Sequence, residues 1–174
     1  MDVISVFAHE FERHRSLLER AMECLSDDQF FVCPGERVNP VAVIVKHLAG
    51  NLQSRWSDFL TTDGEKPTRN RDREFVLDDD DTRARLMESW RLAWITLAGT
   101  LRELSDDDLG RHVTIRGEPH TVLQALLRSV NHVAYHAGQV LHLARLFRPD
   151  AEWLTIPPGM SSKHRAGYLR ERPP

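Results

Sequence analysis

Residues 121–147, TVLQALLRSVNHVAYHAGQVLHLARLF, are the stretch on which the fold class turns. Thr121 followed three residues later by Gln124 is a capping box, the signature of a helix start. Beyond it Leu126, Val133, Ala137, Val140 and Ala144 fall within roughly 40° of one direction when about 100° is allowed per residue. The spacing predicts a helix over about 122–147, the most apolar of the chain, with a buried stripe on one face.

Three more helices are predicted upstream. Residues 3–25 carry Val3, Phe7, Phe11, Leu17, Leu18, Met22 and Leu25 between charged positions, approximately the helical period. Asn39-Pro40 places an N-cap residue before a proline and opens a second helix through Val41, Val45, Leu48, Leu52, Trp56 and Phe59. The third runs from near Thr82 to about Leu104. Between the second and third, residues 61–81 are polar, with Gly64, Pro67 and an aspartate run at 78–81 whose end can cap the next helix. Residues 111–116 alternate briefly and read as extended. The expectation is therefore an all-α chain, a four-helix bundle with one long crossover connection. Residues 1–148 would form the bundle. Residues 149–174, with Pro149, the Pro157-Pro158-Gly159 turn and an Arg-rich end, would form a tail packing on it or extending from it.

An internal echo runs through this plan. Leu25-Ser26-Asp27-Asp28-Gln29-Phe30 and Leu104-Ser105-Asp106-Asp107-Asp108-Leu109 each follow a helix, and each precedes a Gly-Glu pair and a histidine-bearing helix. Either two similar hairpins are repeated, or Ser-Asp-Asp is ordinary helix-boundary chemistry.

The composition narrows the function. The chain has 174 residues, 41% hydrophobic, which suits one domain with a real core. A net charge of −3 provides no global field for nucleic acid or an anionic membrane, so neither is expected as a partner. Met1-Asp2-Val3-Ile4-Ser5 reaches charge too early for a secretory segment, and no apolar run approaches the ~20 residues of a spanning helix. A cytoplasmic protein is expected. Cys24 and Cys33 are too few for a disulfide framework and read as small buried apolar residues.

Histidine is the outlier, with nine in the chain. His132 and His136 lie four apart and leave the same helix face, close enough to share a metal ion. The pair carries little by itself, because nine scattered histidines produce such a spacing readily by chance. His132-Val133-Ala134-Tyr135-His136 also has valine where a zinc-protease helix carries glutamate, which disfavours a metalloprotease. Direction adds more. His136 and His132 lie at about −60° and −100° from the core direction, with the small residues Ala125 and Ser129 on the same flank. In the second helix Asn51 and His47 take the same two angles relative to Leu48, about −60° and −100°. Three neutral imidazoles converging with a vacant position would make an open site for zinc, nickel, iron or manganese. His9, His14, His112, His120, His142 and His164 show no comparable pattern and read as surface or satisfied residues.

Several segments carry a family resemblance. Lys46-His47-Leu48-Ala49-Gly50-Asn51, Ser54-Arg55-Trp56 through Phe59, Asp63-Gly64-Glu65-Lys66-Pro67 with Arg69-Asn70-Arg71-Asp72, Ile115-Arg116-Gly117-Glu118, Asn131-His132 through Gln139, and Ile156-Pro157-Pro158-Gly159 together resemble the DinB/YfiT-like superfamily, in an uncharacterised bacterial branch. The likeness spans nearly the whole chain. It implies a four-helix bundle, often a homodimer, with a divalent metal held by His47, His132 and His136. The superfamily includes thiol-dependent transferases and a mycothiol-dependent isomerase. Pro158 departs from the pattern, which has a basic residue there, so no anion-binding role is carried over to that turn.

An open metal site can activate a bound water or a bound thiol. Asn51 and Gln139 are the polar neighbours on the histidine shoulders and neither accepts a proton, which tilts the reading toward a low-molecular-weight thiol. Asp63, Glu65, Asp72, Glu74 and Glu118 are loop carboxylates within possible reach, and Glu118 is a candidate supporting residue. Lys66, Arg69, Arg71 and Arg73 could clamp carboxylates of a small cofactor, or form a solvated loop. Arg55, projected inward, needs a carboxylate, a bound anion or water, with Asp58 and Glu118 as candidate partners. Trp56, Trp90, Trp94 and Trp153 should pack the core or a dimer face. The expected function is a metal-dependent enzyme acting on a small molecule through a thiol or water. The alternative is a non-catalytic metal-binding module serving stress response or interaction.

Overall fold

Short polar side chains placed just ahead of apolar runs set most of the helix starts. In the computed structural model, which describes residues 2–152 and 154–162, helix α1 (Val3–Glu23) opens where the Asp2 carboxylate accepts from the Ser5 N–H at 2.6 Å. Helix α2 (Asp27–Phe31), not anticipated from periodicity, follows from a capping box between Ser26 and Gln29. Helix α3 (Val41–Trp56) starts one residue later than expected: Pro40, not Asn39, holds the cap position, and no side chain caps it. Helix α4 (Arg83–Glu103) is capped by Thr82. Helix α5 (Val122–Phe147) has the expected capping box, with Thr121 and Gln124 bonded at 3.1 and 2.8 Å. The second and fourth predicted helices are thus α3 and α5.

Between α4 and α5 the chain forms strands β1 (His112–Ile115) and β2 (Glu118–Thr121), antiparallel, with Ile115 opposite Glu118. The turn between them, Arg116-Gly117, has φ of 57° and 76°, the left-handed geometry of a two-residue hairpin. Only the first strand was foreseen, because Glu118-Pro119-His120 shows no alternation. The described residues are mostly helical, about 60% helix with five α-helices and this small sheet, so the all-α expectation needs the hairpin added. The Ser-Asp-Asp echo is capping chemistry in both places: Ser105 and Asp108 make the same box on a 3-10 turn at Asp106–Asp108. The copies diverge afterwards, one into the hairpin and the other into an irregular segment.

The core is shared by the four long helices, with Phe11, Leu18, Trp56, Trp90, Leu97 and Leu126 almost wholly buried. Helix α3 packs chiefly on α4 and α1 on α5. Trp94 joins this core as expected; Trp153, His164 and the Arg-rich terminus lie outside the described residues. Pro157-Pro158-Gly159-Met160 forms a turn closed by Met160 N–H to Pro157 O at 3.1 Å, with Gly159 at φ 78°. Leu154 packs against the core, so the tail starts by folding back on the helices. No described helix is long and apolar enough to cross a membrane. The cysteines depart from expectation. Cys24, the C-cap of α1, is half-buried, and Cys33 is exposed because the connection between α2 and α3 runs over the surface; the Cys33 thiol faces the carbonyls of Gly35 and Val38.

The connection from α3 to α4 is tied down rather than loose. Lys46 reaches from α3 to Asp78 and Asp81 at 2.9 and 2.6 Å, so the aspartate run anchors a lysine, while Asp80 pairs with Arg85. The cap expected of that run is supplied by Thr82 instead. Asp63 accepts from the backbone N–H groups of Glu65, Arg116 and Gly117 at 2.6, 2.9 and 2.8 Å, fixing the connection to the hairpin turn. These bonds hold the Asp63 carboxyl below the usual range despite the opposing effect of desolvation. Replacing Asp63 by Ala should lower stability by about 1–2 kcal/mol, the usual effect of losing charge-assisted hydrogen bonds. Urea unfolding of the variant beside the parent checks this.

Candidate metal centre

His47 occupies the middle of α3, and His132 and His136 lie one turn apart on α5. Their rings meet. His132 Nε2 is 3.2 Å from His47 Nε2 and 3.1 Å from His136 Nε2. Among the described residues this is the group of three potential ligands that can hold one ion.

The outward nitrogens fix the tautomers. His47 Nδ1 is 2.8 Å from the Glu74 carboxylate, and His136 Nδ1 is 2.7 Å from the Gln139 side-chain oxygen, both acceptors. The Gln139 orientation is consistent, since its amide nitrogen faces Tyr135 Oη at 3.3 Å. Both Nδ1 atoms therefore carry the proton, and both Nε2 atoms present lone pairs. His132 Nε2 can offer at most one proton to two such neighbours. A shared cation resolves this surplus of lone pairs. Zinc–nitrogen bonds of about 2.0–2.1 Å in tetrahedral array put the nitrogens roughly 3.3 Å apart, close to what is found. The residues fit a divalent ion.

His132 and His136 are also kept neutral, as ligands must be. Burial, reinforced by the neighbouring histidines and by Arg55 and Arg69, pushes His132 down to about 3. Burial pushes His136 down to about 4 despite the Gln139 hydrogen bond and with the help of His47.

Glu74 is the partner that fixes His47. It sits on a 3-10 turn (Asp72–Phe75) of the long connection, buried, and Arg69 grips both its oxygens at 2.7 and 2.8 Å. Burial alone would raise its carboxyl, but the hydrogen bonds from His47 and Arg69 outweigh this and hold it ionised. A carboxylate on the far nitrogen of a ligand histidine orients the ring and raises its basicity. Phe75 from the same turn stacks over His47, ring centres 4.7 Å apart. This explains why His47 is only 4% exposed although its helical angle placed it at the edge of the stripe. The usable sequence signal was Gly50. A Cβ there would overlap the Glu74 carboxylate, so a residue one turn from His47 must be glycine for Glu74 to approach.

Among the other candidates, Asn51 and Arg55 line a cavity of about 410 Å³ next to His47 and His132. Gln139 supports His136 from behind. Glu118 is exposed on β2 and lines no part of this cavity; the hairpin sends Arg116 there instead. Neither Glu118 nor Asp58 pairs with Arg55, whose Nε has no partner among the described residues. The expected clamp from the connection does not form as read: Arg69 is committed to Glu65 and Glu74, Arg73 to Asp78, and Lys66 donates to the Asp63 carbonyl. Arg71 alone of that set faces the cavity, joined by Arg128 of α5, which sequence reasoning passed over. Ser129 lines it too, whereas Ala125 is in the core. His112 and His142 are exposed, and His120 meets the Glu118 carbonyl, in keeping with expectation.

Comparison with known sequences now adds a family. The family described as "Protein of unknown function (DUF1572)" matches residues 1–160. The chain belongs to the DUF1572 family. DUF1572 is a DinB-like family, which agrees with the broader resemblance seen in the sequence. No curated protein and no solved structure matches this DUF1572 chain.

Two outcomes are expected of this DUF1572 site. Gly50→Ala should displace Glu74 and weaken metal binding about tenfold to a hundredfold, the usual effect of losing such a supporting carboxylate; competition with a chelator of known affinity measures it. The second concerns pH. The unfolded chain protonates its histidines near 6.5, the folded chain only near 3 to 4 at His132 and His136. The unfolded state thus binds more protons in between, and metal-free protein should lose stability as pH falls from about 6.5 toward 4. Urea midpoints across that window, compared with a His132→Ala His136→Ala variant, should show a flatter dependence in the variant.

Proposed function

We propose that this chain is a divalent-metal-dependent enzyme with a DinB/YfiT-like four-helix bundle, activating a small thiol for transfer to a small electrophilic substrate. The observation that carries it is the convergence of three Nε2 lone pairs beside a polar cavity. Three protein ligands leave a place for a further one, the arrangement of a catalytic rather than a structural site. A bound divalent ion would supply Lewis acidity, lowering the pKa of a thiol or water held on it.

The chain's own residues favour the thiol. Water activation usually draws on a carboxylate base near the site. Among the described residues no Asp or Glu lines this cavity, and Glu74 is turned to the outer nitrogen of His47 with both oxygens held by Arg69. A thiol, with an unperturbed pKa of about 8.5, needs far less help to ionise than water does. Asn51 and Ser129 provide neutral hydrogen-bonding groups at the wall. Tyr135, largely exposed at the mouth and bonded to Gln139, links the rim to the orientation of His136.

The test is elemental analysis of untagged protein and of His47→Ala, His132→Ala and His136→Ala. Near one equivalent of metal is expected in the parent and a large loss in each variant; full metal in all three would end the proposal. A thiol-consumption screen over a panel of electrophiles, with and without chelator, should then show metal-dependent turnover. Metal binding without any such turnover would instead assign the chain to non-catalytic metal binding.

A further inference from the structure

We propose that the cavity beside the three histidines binds a small polyanion, whose carboxylate or phosphate oxygens are held by Arg55 and Arg128. This deepens the proposed function by naming a substrate class, and it rests on that reading only for the end of the ligand that faces the histidines.

Arg55 carries the argument. It stands in the last turn of α3, 5% exposed; among the described residues its side chain has no ion pair or hydrogen bond, and its buried Nε has no partner. A buried guanidinium without a counter-charge is costly, so its retention at the edge of a cavity points to a charge delivered from outside. Its position is built. A Cβ at Gly64 would lie 2.9 Å from the Arg55 Cδ and 3.0 Å from its Nε, so the connection gives up a side chain to make room for it. The Gly64 backbone is pinned there by its N–H to the Thr114 carbonyl at 2.7 Å and by the Ser54 hydroxyl donating to its carbonyl at 3.1 Å.

The surroundings increase the need for an anion. Burial first, then Arg128, Arg69 and Arg116, depress Arg55 to about 10, still cationic at neutral pH; Glu65 opposes them but is held by Arg69 at 2.8 Å. Arg128 contacts His120 at 3.1 Å and has no carboxylate partner among the described residues. Arg116 sits on the hairpin turn at φ 57°, a conformation an arginine adopts at some cost, and the Asp63 carboxylate holds it there through its backbone N–H. Arg71 completes four guanidinium groups around a cavity lined by no acid among the described residues; Arg116 meets Glu65 at 3.5 Å and Arg71 meets the exposed Asp72 at 3.8 Å, which leaves Arg55 and Arg128 without a carboxylate among these residues.

Spacing puts the two anchors on the same rows as the histidines. His47, Asn51 and Arg55 are separated by four residues each on α3, as are Arg128, His132 and His136 on α5, so each helix presents imidazole and guanidinium along one shoulder. A planar guanidinium fork matches two oxygens of a carboxylate or phosphate. About 410 Å³ accommodates a small molecule, not a polymer. The complement is a compact molecule with at least two negative charges, one end at the arginines and another group toward the imidazoles.

Isothermal titration of the whole chain tests this with four probes: inorganic phosphate, succinate, mercaptosuccinate and 2-mercaptoethanol. Phosphate or succinate should bind even the chelator-treated protein, and the stronger of the two identifies the preferred oxyanion. Arg55→Met and Arg128→Met should each weaken that binding about tenfold to a hundredfold while leaving metal content unchanged. Arg128 is exposed, so its variant decides the matter should Arg55→Met fail to fold. In zinc-loaded protein mercaptosuccinate should bind more tightly than both succinate and 2-mercaptoethanol. Equal binding of mercaptosuccinate and succinate would keep the anion site and remove the thiol from the metal reading. Absence of phosphate and succinate binding, or binding that neither arginine variant alters, overturns the proposal.

Discussion

Three imidazole nitrogens with too few protons between them are the constraint around which the rest of this structure is arranged. Lone pairs at 3.1 and 3.2 Å repel unless something positive sits among them. The protein does not relieve that repulsion by protonating His132 and His136; it buries these two rings so that their protonation is disfavoured. It then fixes which nitrogen faces inward by giving His47 and His136 an acceptor on the opposite side. Tautomer and direction at His47 and His136 are thus set from behind the rings, by Glu74 and Gln139.

What was legible in the sequence was what a single helix can encode. The Thr121–Gln124 capping box, the apolar stripe of α5 and the His132–His136 pair depend on neighbours three or four residues apart, and all three stand as read. His47 could be matched to them because its angle on its own stripe mirrored theirs. What could not be read was contact across long separations. Glu74 lies 27 residues from His47, in a segment whose polar composition resembles any solvated loop. Its placement is set by Arg69 from within the same connection and by Gly50 on α3, while Lys46, also on α3, holds Asp78 and Asp81 just beyond it. Arg128 stood on the same shoulder as His132, one turn earlier, and could have been found by extending the four-residue spacing backward. The second strand was hidden because its register is set by a turn with an arginine at positive φ, where glycine or asparagine is the usual signal.

Charge at this centre is separated with some care. The described acids near the site are spent on structure: Glu74 on His47 and Arg69, Glu65 on Arg69, Asp63 on three backbone N–H groups, Asp78 and Asp81 on Lys46. None is left to line the cavity, while four guanidinium groups do. A chain whose net charge is −3 thus carries a strongly positive recess, a contrast that total composition conceals because the two signs are sorted by position, not by number. A roomier apolar groove of about 620 Å³ between α1 and α4 has no comparable chemistry.

Because the histidines come from two helices that pack more on other partners than on each other, an ion held between them acts as a cross-link. Whatever free energy the ion gains on entering is added to the cohesion of the α3–α5 seam, in proportion to the logarithm of its free concentration. On the proposed reading, thermal tolerance of this protein would report on its inorganic environment, and scarcity of the ion would loosen the scaffold at the seam where the ion is held.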